Sequence, residues 1–200
     1  MNKKRFIKLI IYLVWIFMLF TTIYDLFHFP ARSIFWGAEL ILALFIYYKL
    51  KIPSGTYFAV LVLFLMNIFG EIFFGLFYII QNFDKFIHLF SSFAVCTLFY
   101  SIFEKKISSK KILILFSFTI VLSIELIWEI IEYFADNWFH LILAGVHIAG
   151  EQAFKQIEIM SSYEDTIYDM LLNFIGGTIF AITALFLTRT KKKLAKNSKK

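Results

Sequence analysis

With 200 residues, 60% hydrophobic and 20% aromatic, the chain is too apolar for a soluble domain and reads as an integral membrane protein. Its net charge of +6 raises nucleic acid as a partner, but the basic residues flank apolar runs, where they act as topology signals and headgroup contacts, so nucleic acid is excluded. The single cysteine, Cys96, excludes an intramolecular disulfide and any cysteine-based zinc site, and its apolar neighbours make it a small filler.

A spanning helix needs about 20 mostly apolar residues, and six such segments follow in order. The first, 6–27, lies within "MNKKRFIKLIIYLVWIFMLFTTIY"; the run is too long for a signal peptide and lacks a cleavage site, so it is a retained helix. It ends in "YDLFH", with Asp25 and His28 three apart. The second, 33–50, carries Glu39 in "WGAELIL", and the third, 57–81, carries Glu71 in "NIFGEIFFG". The fourth, 84–104, opens with "DKFIH", which sets Asp84 and His88 one turn apart with Ser91 continuing the face. An Asp beside a His can orient the imidazole, or both can ligate one metal.

The fifth segment, 112–135, contains "ELIWEIIEYF". At about 100° per residue, Glu125, Glu129 and Glu132 fall within about 60° of one another, a column of carboxylates descending roughly 15 Å into the bilayer. Residues 136–164 follow. Within them "DNWFHLILAGVHIAG" is too short to span and suits the interface: Trp138 and Phe139 fit the headgroup zone, and a helical conformation would put His140 and His147 on one face, as a lid over the acids. The sixth segment, 165–188, begins "DTIYDMLLNFIGG". It carries Asp165, Asp169 and Asn173 along one face, while Gly176 and Gly177 permit close helix packing. The expected architecture is an all-α membrane protein: one six-helix transmembrane bundle over 1–188, an interfacial segment between helices five and six, and a basic tail, 189–200.

Orientation follows from the lysines and arginines. With the N-terminus in the cytoplasm, seventeen of the twenty lie inside and only Arg32, Lys85 and Lys155 outside, so both termini are expected in the cytoplasm. Thirteen of the fourteen acids, all but Glu104, then fall in outer loops or outer helix halves, together with the four histidines. Asp25, Glu39, Glu71, Asp84, Glu125, Glu129, Glu132 and Asp169 crowd that level, where three basic residues, none deep in a span, are expected not to neutralise them. Close buried carboxylates do not all ionise. They are protonated, bind a cation, or surround a polar cavity.

With His88 and His28 nearby, a divalent cation is the expected cofactor, and its candidate ligands are Asp84, His88, Glu125, Glu129 and Asp169. The reading that follows is a site for that cation and for a polar-headed lipid or lipid-linked envelope precursor. If it catalyses a reaction, it is a metal-dependent hydrolase or transferase. The alternatives are a proton- or cation-coupled transporter and a structural or partner-binding membrane protein. Transport is disfavoured because the acids stop at mid-bilayer and no inverted repeat is visible.

"DKFIH", "ELIWEIIE" and "DTIYDMLLNFIGG" together resemble the VanZ-like and YjdF-type small bacterial membrane proteins over about residues 80–188. The resemblance implies a bacterial plasma-membrane location and an envelope role, without a settled reaction.

Overall fold

The computed structural model of the chain describes residues 3–139, 144–149 and 156–197. These residues are all-α apart from one hairpin. They form seven helices, six of them long and apolar enough to cross a membrane: Arg5–His28, Arg32–Leu50, Ser54–Phe73, Phe83–Phe103, Lys110–Trp138 and Ser162–Thr190. Large apolar side chains such as Ile16, Ile34, Ile182 and Phe186 stand more than half exposed, the outward face expected of helices bathed in lipid. The chain divides into two compact units, Met1–Gly75 and Leu76–Lys200.

The first unit holds α1 (Lys3–His28), α2 (Pro30–Phe45) and α3 (Ser54–Ile68). Pro30 opens α2, where a missing N–H costs no helical bond. A wide π turn, Ile46–Leu50, extends α2, and Lys51 in the left-handed conformation ends it. The core is Met18, Ala43, Leu61 and Ile68, all at or below 1% exposure. At one end of that core the Trp15 indole donates to the Tyr57 hydroxyl (2.8 Å), which donates to the Ala43 carbonyl (3.2 Å).

The expected third span, 57–81, is interrupted. A second π turn at Phe69–Phe73 loosens the helix, and Gly75 at φ 56° redirects the chain, a conformation that costs glycine little. The residues beyond form only the short α4, Leu76–Ile79.

The second unit holds α4, α5 (Phe83–Phe103), α6 (Lys110–Phe139), the hairpin β1 (Val146–Ala149) with β2 (Gln156–Met160), and α7 (Ser162–Asn197). Ser161 and Glu164 start α7 with a reciprocal capping box: the Ser161 hydroxyl accepts from the Glu164 N–H, and the Glu164 carboxylate accepts from the Ser161 N–H. A Cβ on Gly176 would run into the Leu89 carbonyl, and one on Gly177 would meet the Phe118 ring at 2.8 Å. Gly176 therefore lets α7 lie against the backbone of α5, and Gly177 leaves room for the Phe118 ring of α6. Below them Cys96, Ile114, Val121 and Phe180 form an apolar cluster, with Cys96 the buried filler its neighbours suggested.

The segment between α6 and α7 differs from the interfacial helix expected there. Its described residues pair as antiparallel strands, Val146 with Met160 and Ala149 with Gln156. "QIEIM" alternates polar and apolar residues and is β-branched, so a period of two prevails over a helical one. His147 lies on β1; His140 and Lys155 lie outside the described residues, as does part of the expected lid.

Candidate metal centre

Three helices of the second unit each turn one polar stripe inward. On α5 the stripe is Lys85, His88 and Ser92, spaced three and four apart; on α7 it is Asp165, Asp169 and Asn173, spaced four and four; α6 contributes Glu129. All seven are at most 7% exposed. Asp84, half-buried in the first turn of α5, completes the group, and both Asp84 and Asp165 suit the positive end of their helix dipoles.

His88 is the centre of the arrangement. Its Nε2 lies 3.6 Å from Asp84 Oδ1 and 3.8 Å from Asp169 Oδ1, and its Nδ1 lies 3.9 Å from Glu129 Oε1. One ligand atom from each of Asp84, His88 and Asp169 lies within 4.8 Å of the others. Donors sharing one ion at about 2.1 Å stand at most about 4.2 Å apart, so these three need to shift by less than about 1 Å to share one. Two carboxylates and an imidazole form a mixed oxygen and nitrogen set suited to zinc- or manganese-like ions.

Lys85 overturns the expectation that ion pairs do not reach this cluster. Its Nζ lies 3.0 Å from Asp84 Oδ2 and 2.7 Å from both oxygens of Asp169, and it also bonds Asp165. Counting Lys85 as an outer, surface charge missed that it shares a helix face with His88 and Ser92; its apolar stem carries the ammonium inward instead of out to water. The same correction holds in the first unit. There Asp25, 0% exposed, accepts two bonds from the Arg32 guanidinium (2.5 and 2.9 Å) and one from the Trp36 indole (2.8 Å), while Arg32 also reaches Glu71 at 3.3 Å.

Compensation in the second unit is incomplete. Asp84, Asp165 and Asp169 face one ammonium, which leaves two negative charges when all three are ionised. Glu129 adds to them: it is 4% exposed, and neither oxygen meets a hydrogen-bond partner at normal geometry, although the Thr166 hydroxyl stands beside it. A buried carboxylate without partners is expensive in any interior.

A hydrogen-bond chain leads from His88 to Glu125. Nδ1 lies 3.2 Å from the Asn173 amide nitrogen, the Asn173 oxygen 3.0 Å from the Ser92 hydroxyl, and that hydroxyl 3.3 Å from Glu125 Oε1. Ser92 has one hydrogen and two acceptors. One arrangement that satisfies every group rotates the Asn173 amide by 180°: His88 Nδ1–H donates to the amide oxygen, the amide donates to Ser92, and Ser92 donates to Glu125. In that arrangement the His88 Nε2 lone pair points free toward Asp84 and Asp169, as a metal ligand requires.

The remaining sequence candidates sort as follows. Glu125 is half-buried and also lies 3.4 Å from the Ser91 hydroxyl, which donates to the His88 carbonyl at 3.0 Å; its contacts go to the two serines. Glu132 accepts from Trp128 of its own helix at 2.5 Å. Asp165 accepts the Gly145 N–H (2.7 Å), which pins the start of the hairpin. Asp25, His28, Glu39 and Glu71 belong to the first unit. His28 is exposed, stacks on Tyr24 and bonds the Tyr24 carbonyl, while Glu39 accepts from Asn67 at 3.1 Å. Lys85, Ser92, Trp36 and Asn67 are the polar partners that the reading of acids and histidines passed over. For Lys85 and Ser92, their spacing from His88 was the available signal.

A family model described as "Predicted membrane protein (DUF2238)" matches residues 4–190. This corrects the resemblance to VanZ-like and YjdF-type proteins: the matching family is a distinct one and covers both units, whereas that resemblance rested on three short, degenerate motifs after residue 80. No curated protein and no solved structure matches the chain.

Proposed function

We propose that this chain, which belongs to the DUF2238 family of predicted membrane proteins, binds one divalent cation in its second unit through Asp84, His88 and Asp169. One observation carries the reading: three ligand atoms within 4.8 Å of one another, beside a buried Glu129 whose oxygens meet no hydrogen-bond partner at normal geometry. The charge agrees, since three aspartates, once ionised to hold an ion, and one lysine leave a deficit that a divalent ion cancels. Glu129 stands on the far side of the same imidazole, with its Oε1 3.9 Å from Nδ1.

On the positive-inside orientation the site faces the outer half of the bilayer. There the ion meets the polar head of a lipid or lipid-linked envelope precursor. Should a reaction occur, Asp84, His88 and Asp169 would hold the ion, which would supply Lewis-acid chemistry, and Glu129, beside His88, would be a candidate base.

The test is metal binding by the detergent-purified protein, stripped with chelator and titrated with Mn²⁺ or Zn²⁺ by calorimetry, with elemental analysis of the product. The expected result is one ion per chain in the wild type. Asp169→Asn and His88→Ala each weaken binding by more than the roughly tenfold to a hundredfold that loss of a group behind the ligands costs. Absence of stoichiometric metal, or variants that bind like the wild type, would refute the reading.

A further inference from the structure

Next to the candidate metal centre, α6 and α7 do not close fully on one another. A cavity of about 310 Å³ opens between them, walled by Leu122, Ser123, Leu126, Met170 and Phe174 and floored by Glu125 and Asn173; the Ser123 hydroxyl is spent on the Thr119 carbonyl at 3.0 Å. All seven residues lie within the spans Lys110–Trp138 and Ser162–Thr190, and the walls Leu126, Met170 and Phe174 are 40–51% exposed. A groove whose rim is apolar at that depth opens on hydrocarbon, so a molecule dissolved in the membrane reaches it without crossing water.

The floor selects the head of such a molecule. The hydrogen bond that Glu125 receives from Ser92, and the longer contact from Ser91, both fall on Oε1. Oε2 is left for whatever enters. A carboxyl oxygen at the bottom of an apolar groove accepts from a donor and, in its ionised form, repels an anion. We propose that the groove binds an amphiphile with one apolar chain ending in a hydroxyl or an amine, its chain between Leu126 and Phe174 and its head donating to Glu125 Oε2. This site stands on its own geometry, and it deepens the reading of the metal centre by naming the kind of lipid that can approach it. Ser92 and Asn173 join the bound head to His88 through contacts of 3.3, 3.0 and 3.2 Å.

The experiment uses the full chain in lipid nanodiscs with a diazirine-bearing long-chain alcohol as probe, photolysed and mapped by mass spectrometry. Adducts are expected on the α6 and α7 wall residues. Hexadecanol or hexadecylamine should compete and hexadecanoate should not; which competitor is stronger tells a hydroxyl head from an amine. Leu126→Trp fills the groove from a half-exposed position and should abolish the adducts with thermal unfolding unchanged. Glu125→Leu should weaken competition by hexadecanol roughly tenfold, the scale of one lost hydrogen bond to a charged group. Adducts spread evenly over the lipid-facing helices, equal competition by hexadecanoate, or labelling that survives Leu126→Trp would each overturn the proposal. Asp84→Asn removes a metal ligand but no groove residue, and labelling should persist in it whether or not metal binds, so the two readings fail separately.

Discussion

An ammonium group bonded to three carboxylates yields its place only to another cation. Lys85 holds both oxygens of Asp169, so a divalent ion at Asp84, His88 and Asp169 has to share that carboxylate with it or send it toward Asp165. Replacing Lys85 by Met leaves Asp165 and Asp169 buried without a counter-charge, which costs about 3–5 kcal/mol when one partner of a buried pair is removed. The apo variant should therefore unfold at a clearly lower temperature than the wild type. Added Mn²⁺ should restore part of the loss, and the ion should bind more tightly than in the wild type because its competitor is gone. Thermal unfolding with and without Mn²⁺ reads both effects; a variant that Mn²⁺ does not stabilise would show that the lysine and the metal do not share a site. Asn173 offers a second check. Asn173→Asp keeps an acceptor for the His88 Nδ1–H and should still bind metal. Asn173→Leu leaves that proton without a partner and should lower affinity by about tenfold or more.

At the scale of helices, the metal centre depends on how closely α7 approaches α5. Gly176 sets that distance, because a Cβ there meets the Leu89 carbonyl, which is backbone and cannot rotate away. Gly176→Ala should push the helices apart, cost about 1–3 kcal/mol, and weaken metal binding by separating Asp169 from His88. Gly55, in the first turn of α3, has nothing within 4 Å of an added Cβ, so Gly55→Ala should be neutral or slightly stabilising through helix propensity. Equal unfolding temperatures for the two variants would show that close packing at Gly176 does not matter. The spans were legible because hydrocarbon thickness imposes a length and a composition on any crossing helix. The break after Phe73 was not, since a π turn has no compositional signature and Gly75 sits in an otherwise unbroken apolar run. The hairpin was hidden for a similar reason: "DNWFHLILAGVHIAG" reads equally as interfacial helix, and only pairing with "QIEIM" decides for strands. Within the candidate site, Asp84, His88 and Asp169 were legible as polar residues in apolar surroundings. The role of Lys85 was not, because a lysine near a helix end is ordinarily a surface charge, and burial is a property of the folded chain.

For the whole molecule, the question is which way it sits in the membrane, since that decides whether the cation and the groove are reached from the outer or the cytoplasmic leaflet. In the proposed orientation seventeen of twenty basic residues lie on one side, a strong bias, and acidic residues add little to the rule, so thirteen acids on the other side would be a separate feature of the protein. Cys96 is 0% exposed and is the chain's one cysteine, so single introduced cysteines can be read against a low background. Lys106, exposed between α5 and α6, and Glu158, exposed on β2, lie on opposite sides in the proposed orientation. In intact cells a membrane-impermeant maleimide should label Glu158→Cys, while Lys106→Cys should react only after lysis. The reverse pattern would put the carboxylates on the cytoplasmic side. The metal centre and the groove would then face cytoplasmic ions and inner-leaflet lipids, and an envelope precursor in the outer leaflet would have no access to either. Labelling of both cysteines in intact cells would mean instead that the connections flanking α6 share one side, which six alternating spans do not allow.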